Sequence, residues 1–143
     1  MNLVAKNFDE LTVYELYEIL KARTQIFLLE QNIICQDMDD IDKVARHYFL
    51  EEDGKLLACL RAFYVDESKQ TVKIGRVVSL THGKGHGRLL MEFALCDIKK
   101  TMGCEHIYVN SQTQAEGFYE KMGFVTVSDE FDEDGIPHVK MEL

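Results

Sequence analysis

A run of three alternating glycines, separated by basic side chains, is the part of the sequence best suited to chemistry. The run consists of Gly83, Lys84, Gly85, His86, Gly87 and Arg88. Glycine lets the backbone approach a ligand closely and adopt positive φ. The residues up to Val77-Val78 are typical of a strand, and those from Arg88 onward predict a helix whose first turn presents unpaired N–H groups. A strand, a glycine loop and a helix in this order predict a phosphate or pyrophosphate site, with Lys84, His86 and Arg88 as additional donors.

Two other interpretations of the glycine run are open. A flexible connection needs glycine for its turn alone, and a glycine motif by itself is weak evidence for a ligand. A dinucleotide-binding fingerprint also joins a strand to a helix, but its spacing is G-x-G-x-x-G, whereas the spacing here is G-x-G-x-G. The acidic residue that such a fingerprint needs would be Glu105, which begins a predicted strand instead of ending one. We therefore disfavour the dinucleotide interpretation.

The elements that must position this loop follow from hydrophobic periodicity and turn signals. Thr12 and Glu15 have the spacing of a capping box, Asp53-Gly54 is a strong hairpin signal, and Gly103 is a natural helix stop. Strands are predicted over 3–8, 47–51, 56–65, 71–78, 107–110, 124–131 and 138–143, helices over 12–29, 88–102 and 114–122, and a loop with a helical turn over 31–46.

The predicted order of elements is β-α-β-β-β-α-β-α-β-β. Strand–helix alternation in the second half implies parallel pairing there, because parallel neighbours need a crossover, and the hairpins imply antiparallel pairing elsewhere. The predicted fold class is therefore α/β, with a mixed sheet and helices on its faces. The chain has 143 residues and no Pro/Gly-rich linker or repeat, which suits a single domain over 1–143.

Composition and net charge exclude some classes of binding partner. Hydrophobic residues make up 46% of the chain, charged residues 29%, and the formal net charge is -9. Nucleic-acid binding needs clustered Lys and Arg, so we expect no nucleic acid partner. The charge is compatible with a cationic substrate, although we favour a role in solubility. The N-terminus lacks a basic start followed by a long apolar run, so we expect no signal peptide, no membrane association and a cytoplasmic protein.

Two groups of residues suggest metal chemistry and are set aside. The four cysteines form no C-x-x-C pair, so a zinc site is not expected and the thiols are predicted to be free. An acidic stretch could imitate a calcium loop, but it lacks the glycine and the terminal glutamate of an EF-hand. That stretch contains Asp37, Asp39, Asp40 and Asp42. We expect no metal. The acidic run 129–134 could attract a cationic amine, but we favour its interpretation as a solvated turn.

The residues resemble the GCN5-related N-acetyltransferase family, whose acyl-CoA loop is Gln/Arg-x-x-Gly-x-Gly/Ala at a strand-to-helix junction. The matching run here is His82–Gly87, and the later family pattern Tyr-x-x-x-Gly-Phe appears as Tyr119–Phe124. The resemblance covers nearly the whole chain. It is similar in particular to the ElaA-like branch of small bacterial acetyltransferases, through Arg23, Phe27, Glu30-Gln31, 111–115 and 133–138.

The resemblance implies an acyl-CoA N-acyltransferase fold that moves an acetyl group from acetyl-CoA to an amine. It implies that the cofactor-binding residues are Val77, Val78, Gly83, Lys84, Gly85, His86, Gly87, Arg88 and Gln112. Three departures from the family pattern are present. His82 replaces the usual Gln or Arg, the approach over 76–82 is about two residues shorter than usual, and Gln112 stands where many members have Asn.

The implied reaction needs an oxyanion donor, a general acid and a neutral amine. Backbone N–H groups near Val78 are candidates for the oxyanion contact, although Val77 and Val78 could also be plain core residues of a strand. Tyr119 is the candidate acid, with a buried aromatic as the alternative. The candidates for the base are Glu30, His47 and His138, because they end strands or helices near the acceptor side. Alternatively, Glu30 pairs with Arg23 or caps a loop, and His47 and His138 are satisfied polar residues in strands. A water chain or an already neutral amine would make a protein base unnecessary.

The leading hypothesis is an acetyl-CoA-dependent N-acetyltransferase acting on a primary amine of a small molecule or peptide. One alternative is a non-catalytic acyl-CoA sensor of the same fold, against which Tyr119 argues because a pure binder needs no acid. Another alternative is a nucleotide-binding protein that uses the same glycine loop. No motif identifies the amine acceptor. The oligomeric state is open, with a homodimer among the alternatives.

Overall fold

The computed structural model describes residues 1–143 and contains a mixed eight-stranded sheet with three α-helices. The strands are β1 (Asn2–Asn7), β2 (Arg46–Glu52), β3 (Lys55–Tyr64), β4 (Thr71–Ser79), β5 (His106–Gln112), β6 (Val125–Thr126), β7 (Phe131–Glu133) and β8 (Ile136–Glu142). The helices are α1 (Val13–Arg23), α2 (His86–Asp97) and α3 (Glu116–Lys121). The sheet order is β1-β2-β3-β4-β5-β8-β6, and β7 pairs with β8.

The first four strands form an antiparallel meander, as the hairpin signals predict. The turn between β2 and β3 holds Asp53 at φ 51° and Gly54 at φ 75°. Two consecutive positive φ values match the right-handed twist of the flanking strands, which is why Asp-Gly is favoured at such turns.

The parallel pair in the middle of the sheet is short. β4 and β5 are in register only from Thr71 opposite His106 to Ile74 opposite Val109. Beyond Ile74 the two strands separate, and β5 continues to pair with β8 on its other side as far as Gln112 opposite His138. The carboxyl half of β4 therefore faces a gap in the sheet instead of a neighbouring strand.

Each face of the sheet packs against helices through its own apolar cluster. The larger cluster joins the sheet to α2 and includes Leu90, Met91 and Ile98, all fully buried. The smaller cluster joins α1 to β3 and β4 through residues such as Ile19 and Val78. Burying an aliphatic side chain of this size contributes roughly 1.5–3 kcal/mol, so these clusters fix the strands that border the gap.

The helices differ from the predicted boundaries. α1 ends at Arg23 and continues as a π-helical segment over Thr24–Glu30, whereas one helix over 12–29 was predicted. α2 begins at His86, two residues before the predicted start, because Gly85, in a left-handed conformation, occupies the N-cap position. After Asp97 it too continues as a π-helical segment, over Ile98–Met102.

The predicted strand over 124–131 was also wrong as one element, because it divides into β6 and β7. Between them the hydroxyl of Ser128 accepts the backbone N–H of Lys140 at 2.8 Å. A side-chain oxygen here replaces a main-chain carbonyl, which interrupts the ladder with β8. No helix is long and apolar enough to cross a membrane, and no group of three or more His, Cys, Asp or Glu side chains could hold a metal ion.

Candidate active site

A cavity of about 360 Å³ lies where β4 and β5 separate. Its lining comes from α1 and the π-helical segment, the loop that follows, the strands β3, β4, β5 and β8, and α3. Val77 and Tyr119 line it on one side, and Gly75 lines the part formed by β4. A Cβ atom added at Gly75 would meet no atom within 4 Å, so this glycine leaves the space above the strand open.

The glycine loop has the backbone geometry of an anion cradle. Gly83 and Gly85 have φ values of +74° and +75°, which residues with a Cβ atom rarely adopt. Gly85 caps α2, and its carbonyl accepts the N–H of Leu89 at 3.0 Å as the first bond of the helix. The amides of the residues between them, from His86 to Arg88, are left without helical partners and suit a phosphate group.

Two of the three predicted donor side chains of the loop already form contacts within the protein. The ring Nδ1 of His86 lies 2.6 Å from the hydroxyl of Thr81, so this ring is already paired. Arg88 forms an exposed ion pair with Glu92 at 3.1 Å. Lys84 is exposed and has no hydrogen-bond partner in the protein, so it is the free cation of the loop.

A bulge distorts β4 beside the cavity. Val78 is opposite Cys59 and Gly75 is opposite Arg61, so β4 has one more residue than β3 between these pairs. Arg76, inside the bulge, has φ 51°, a left-handed conformation that costs a residue with a Cβ roughly 1–2 kcal/mol. Val77 follows it and lines the cavity.

The register indicates which amides point into the gap. Leu80 donates its N–H to the carbonyl of Leu57 at 2.9 Å, so this pair is hydrogen-bonded across β3 and β4. Bonded and non-bonded pairs alternate along antiparallel strands, which directs the amide of Val78 toward β3 and that of Val77 toward the gap. Val78 itself is buried under α1.

Three arginines and three aspartates form an ionic network on the opposite side of the cavity. Its short contacts are Arg23 to Asp42 at 2.7 Å, Arg61 to Asp39 at 2.7 Å, Arg61 to Asp42 at 2.9 Å, and Arg23 and Arg76 to Asp37, each at 2.9 Å. We call residues 37–42 the aspartate loop. The arginines come from α1, β3 and β4, so the loop is tied to three separate elements.

Burial makes this network structurally important. The side chains of Arg23 and Arg61 are almost fully buried, and breaking a buried ion pair leaves a charge without compensation. A hydrogen bond from Arg61 is the largest of the effects that lower the pKa of Asp39 to about 2. For Asp42, burial acts to raise the pKa, but the bonds from Arg23 and Arg61 outweigh it and the net shift is downward.

Tyr119 is held in α3 with its ring packed edge-on against Phe118 and Phe124, at centroid distances of 5.1 and 5.6 Å. Burial raises the pKa of its hydroxyl, which keeps the proton on the oxygen at neutral pH. That hydroxyl forms no hydrogen bond within the protein, and the residue lines the cavity. Its proton is therefore free for a ligand.

The three candidate bases lie in different places. His138 lines the cavity; its Nδ1 lies 2.7 Å from the carbonyl of Ile136 and its Nε2 lies 3.3 Å from Glu133. Since a carbonyl only accepts, Nδ1 carries a hydrogen and Nε2 is the atom available for proton exchange. Glu30 is exposed at 3.9 Å from His82, outside the cavity lining, and does not pair with Arg23.

His47 is not brought to the cavity. Its ring is buried, lies 2.8 Å from the carbonyl of Asp42 through Nε2, and packs near Phe8. Burial lowers its pKa and favours the neutral ring. Of the two interpretations of His47, the structure therefore supports a satisfied polar residue behind the aspartate loop.

Gln112 lines the cavity and connects it to the end of the π-helical segment that follows α1. Its amide nitrogen donates to the side-chain oxygen of Gln31 at 2.9 Å, and its oxygen accepts from Gln114 at 2.7 Å. This contact joins two of the segments that resemble the ElaA-like branch, 81 positions apart in the chain.

Comparisons with known proteins agree with this geometry. The sequence profile of the family described as Acetyltransferase (GNAT) domain matches residues 25–143. A UPF0039 protein of Schizosaccharomyces pombe is 40% identical over 147 residues, covering 100% of this chain and 97% of that protein. Protein ElaA of Escherichia coli is 33% identical over 137 residues, covering 93% and 90% of the two chains.

Two solved structures are similar over nearly the whole chain. An acyl-CoA N-acyltransferase from Pseudomonas aeruginosa superposes with a TM-score of 0.88 at 36% identity, covering 99% of both chains. Escherichia coli ElaA superposes with a TM-score of 0.91 at 30% identity, covering 99% of this chain and 97% of the other. The mixed sheet and its similarity to this family and to these structures thus define an acyl-CoA-dependent transferase. The chain belongs to the GNAT acetyltransferase family and, within it, to the ElaA-like branch.

Proposed function

We propose that this protein transfers an acetyl group from acetyl-CoA to a primary amine of a small molecule or peptide. The observation that carries the proposal is that Val77 and Tyr119 line the same cavity. The strand register directs the Val77 amide toward the gap, and the Tyr119 hydroxyl has no hydrogen-bond partner within the protein. A pyrophosphate at the N-terminus of α2 leaves the thioester end of acetyl-CoA to enter the gap between β4 and β5. The cavity beyond that gap then receives the amine.

The amide of Val77 is our candidate for the oxyanion contact. The amine attacks the thioester carbonyl and forms a tetrahedral intermediate with a negatively charged oxygen. A fixed backbone N–H stabilises this charge with little reorganisation, because its direction is set by the bulge before the reaction begins. Val78, proposed together with Val77 from the sequence, would act as the buried anchor of the same strand.

Proton transfer is assigned to two side chains. Tyr119 donates a proton to the sulfur of CoA as the C–S bond breaks, so the product leaves as a thiol. His138 is our candidate to accept a proton from the amine at Nε2, and the carboxylate of Glu133, 3.3 Å from that atom, then stabilises the charged ring. Glu30 and His47 lie outside the cavity lining, so His138 is our preferred base.

The test is direct. The protein is mixed with acetyl-CoA and a panel of primary amines, free thiol is followed with a colour reagent, and acetylated amine is identified by mass spectrometry. We expect thiol release that depends on one class of amine. Tight acetyl-CoA binding without thiol release for any amine would favour the non-catalytic sensor. Stabilisation by ATP or NAD, with none by CoA, would contradict both.

A further inference from the structure

We infer that Arg76 is a positioning residue for acyl transfer: its bonds to the aspartate loop hold the left-handed bulge that aims the Val77 amide into the cavity. The inference rests on the proposed function, because it assumes that this amide contacts the acyl carbonyl. It concerns the Arg76 side chain, which the catalytic assignments above do not use.

The first observation is conformational. Arg76 has φ 51° in the middle of β4, whereas the neighbouring Gly75 does not have positive φ. A side chain with a Cβ disfavours this conformation, so something outside the local backbone must hold it. Were Arg76 to relax to an extended conformation, the bulge would change and the amide of Val77 would turn.

The second observation is the set of contacts made by the guanidinium. Its Nε donates to the carboxylate of Asp37 at 2.9 Å, and its terminal nitrogen donates to the carbonyl of Asp37 at 3.0 Å. A further bond reaches the carboxylate of Asp39 at 3.4 Å. The planar guanidinium thus donates hydrogen bonds to both the backbone and the side chains of the aspartate loop. A lysine ammonium cannot reproduce this geometry.

The third observation is that the partners of Arg76 are themselves fixed. Asp37 also accepts from Arg23 at 2.9 Å, and Asp39 also accepts from Arg61 at 2.7 Å. Both arginine side chains are almost fully buried, so the loop cannot follow Arg76 if the backbone of β4 relaxes. Because Asp37 and Asp39 also line the cavity, the same contact sets one wall of the acceptor space and the direction of the Val77 amide.

Arg76→Gly separates the side chain from the backbone requirement. Glycine adopts positive φ without penalty, so this variant still permits the bulge. It removes the hydrogen bonds to the aspartate loop that hold β4 in the bulged conformation. We expect acetyl-CoA to bind with nearly the affinity of the unmodified protein. With saturating acetyl-CoA and amine, kcat should fall roughly tenfold or more, as when an oxyanion donor is misplaced. Arg76→Lys should fall between the two proteins.

A spectroscopic measurement makes the test independent of turnover. Acetyl-CoA labelled with ¹³C at the carbonyl is bound without amine, and its ¹³C chemical shift is compared with that of the free compound. A hydrogen bond from Val77 polarises the carbonyl and moves the resonance downfield. We expect this displacement in the unmodified protein, a much smaller one in Arg76→Gly, and partial recovery in Arg76→Lys.

Lys69→Gly is the matched control. Lys69 also has positive φ, at 58°, but it is exposed in the turn between β3 and β4 and lies outside the cavity. This variant gains the same backbone freedom, and we expect unchanged kcat and carbonyl shift.

The outcomes distinguish this inference from the proposed function. If Arg76→Gly keeps both the displaced carbonyl resonance and kcat, the inference is overturned while the proposed function stands. If the unmodified protein binds acetyl-CoA with no displacement of the resonance, or does not bind it, the Val77 contact fails and the inference fails with it. If Arg76→Gly does not fold, Arg76→Lys decides, because its well-folded form must show the reduced displacement and the reduced kcat.

Discussion

The two sides of the cavity are built in different ways. The side that we propose binds CoA is made of backbone: consecutive residues of one loop present amides at the start of α2, and most nearby side chains are paired elsewhere or exposed. The proposed acceptor side is made of side chains: the aspartate loop is held by arginines from α1, β3 and β4. A backbone site tolerates side-chain change, whereas an ionic network depends on every member.

This difference explains how the chain accommodates its departures from the family pattern. His82 is exposed, and its closest charged contact is Glu30 at 3.9 Å, so replacing Gln or Arg there removes no part of the cradle. The turn into α2 is made by Gly83 and Gly85, which both have positive φ. The proposed acceptor side does not tolerate substitution in this way, because Arg23 and Arg61 are buried and each pairs with more than one aspartate.

The largest effect is expected from filling the acceptor side. Gly75→Leu places a side chain in the open space above β4, where an added Cβ meets nothing within 4 Å. The acceptor would be displaced from the thioester, and we predict a fall of about 100-fold in kcat/KM for the amine, the cost of misplacing a reacting group. Acyl-CoA binding, measured by calorimetry, should change little.

Gly117→Leu provides the control for this change. Gly117 also has open space around an added Cβ, but it is exposed on α3 outside the cavity lining. Leucine favours helix more than glycine does, so stability should rise slightly and kcat/KM should stay the same. Equal losses in both variants would show that the cavity does not receive the acceptor.

A smaller effect is expected from the CoA side, and two glycines with the same backbone conformation isolate it. Gly85 and Gly54 both have φ +75° and open space around an added Cβ. Alanine at either position should destabilise the fold by about 1–2 kcal/mol, since both must adopt a left-handed conformation. Only Gly85→Ala should weaken CoA binding, by about tenfold, because it alone caps the helix that holds the phosphates. Unchanged CoA affinity in Gly85→Ala would contradict a backbone cradle.

Tyr119→Phe tests the group that lies between the two sides. The hydroxyl forms no hydrogen bond within the protein, so its removal leaves no buried partner unsatisfied and stability should be preserved. We predict a fall of up to about tenfold in kcat, less than for a typical general acid because a thiol is a good leaving group. Steady-state kinetics at saturating substrates would measure it, and an unchanged kcat would exclude Tyr119 as the acid.

The smallest effect on turnover is expected from protonating or replacing Asp39. Its effect on the free energy of unfolding should nevertheless be clear. The folded-state pKa of Asp39 is about 2, below its unfolded value of about 3.9. Ionised Asp39 therefore stabilises the fold above about pH 4, and this contribution is lost as the pH falls toward 2. Urea unfolding should show Asp39→Asn less stable by on the order of 1–2 kcal/mol at pH 7, with the difference vanishing near pH 2.

Asp40→Asn is the control for this pH dependence. Asp40 belongs to the same loop, but its carboxylate is 88% exposed and pairs only with Lys43. Asparagine also tolerates the left-handed conformation that Asp40 adopts. A pH-dependent loss of stability in Asp40→Asn as large as that in Asp39→Asn would show that the buried network is not its cause.

The contrast between a contiguous backbone loop and a network of distant side chains also determines what could be predicted from sequence. The glycine loop is contiguous, so its glycine spacing and the strand before it were sufficient to place it between β4 and α2. The Asp53-Gly54 hairpin and the Thr12–Glu15 capping box are local for the same reason, and both are present in the structure. The start of α2 was misplaced by two residues because a glycine N-cap carries no side-chain signal.

The acceptor side was not predictable in the same way. Asp37, Asp39 and Asp42 were considered only as calcium ligands, because their arginine partners are 14 to 39 positions away in sequence. Arg61 and Arg76 are single charges in apolar strands, and sequence alone gives no indication of their partners. His138, in contrast, was found by residue type and place at a strand end, and it does line the cavity.

The most direct test of the central claim is an experimental structure of the protein with CoA bound. We predict that the pyrophosphate contacts the amides of His86, Gly87 and Arg88, and that the pantetheine thiol lies in the gap between β4 and β5 within reach of Val77 and Tyr119. CoA bound through side chains outside the glycine loop, or with its thiol away from this gap, would contradict the account.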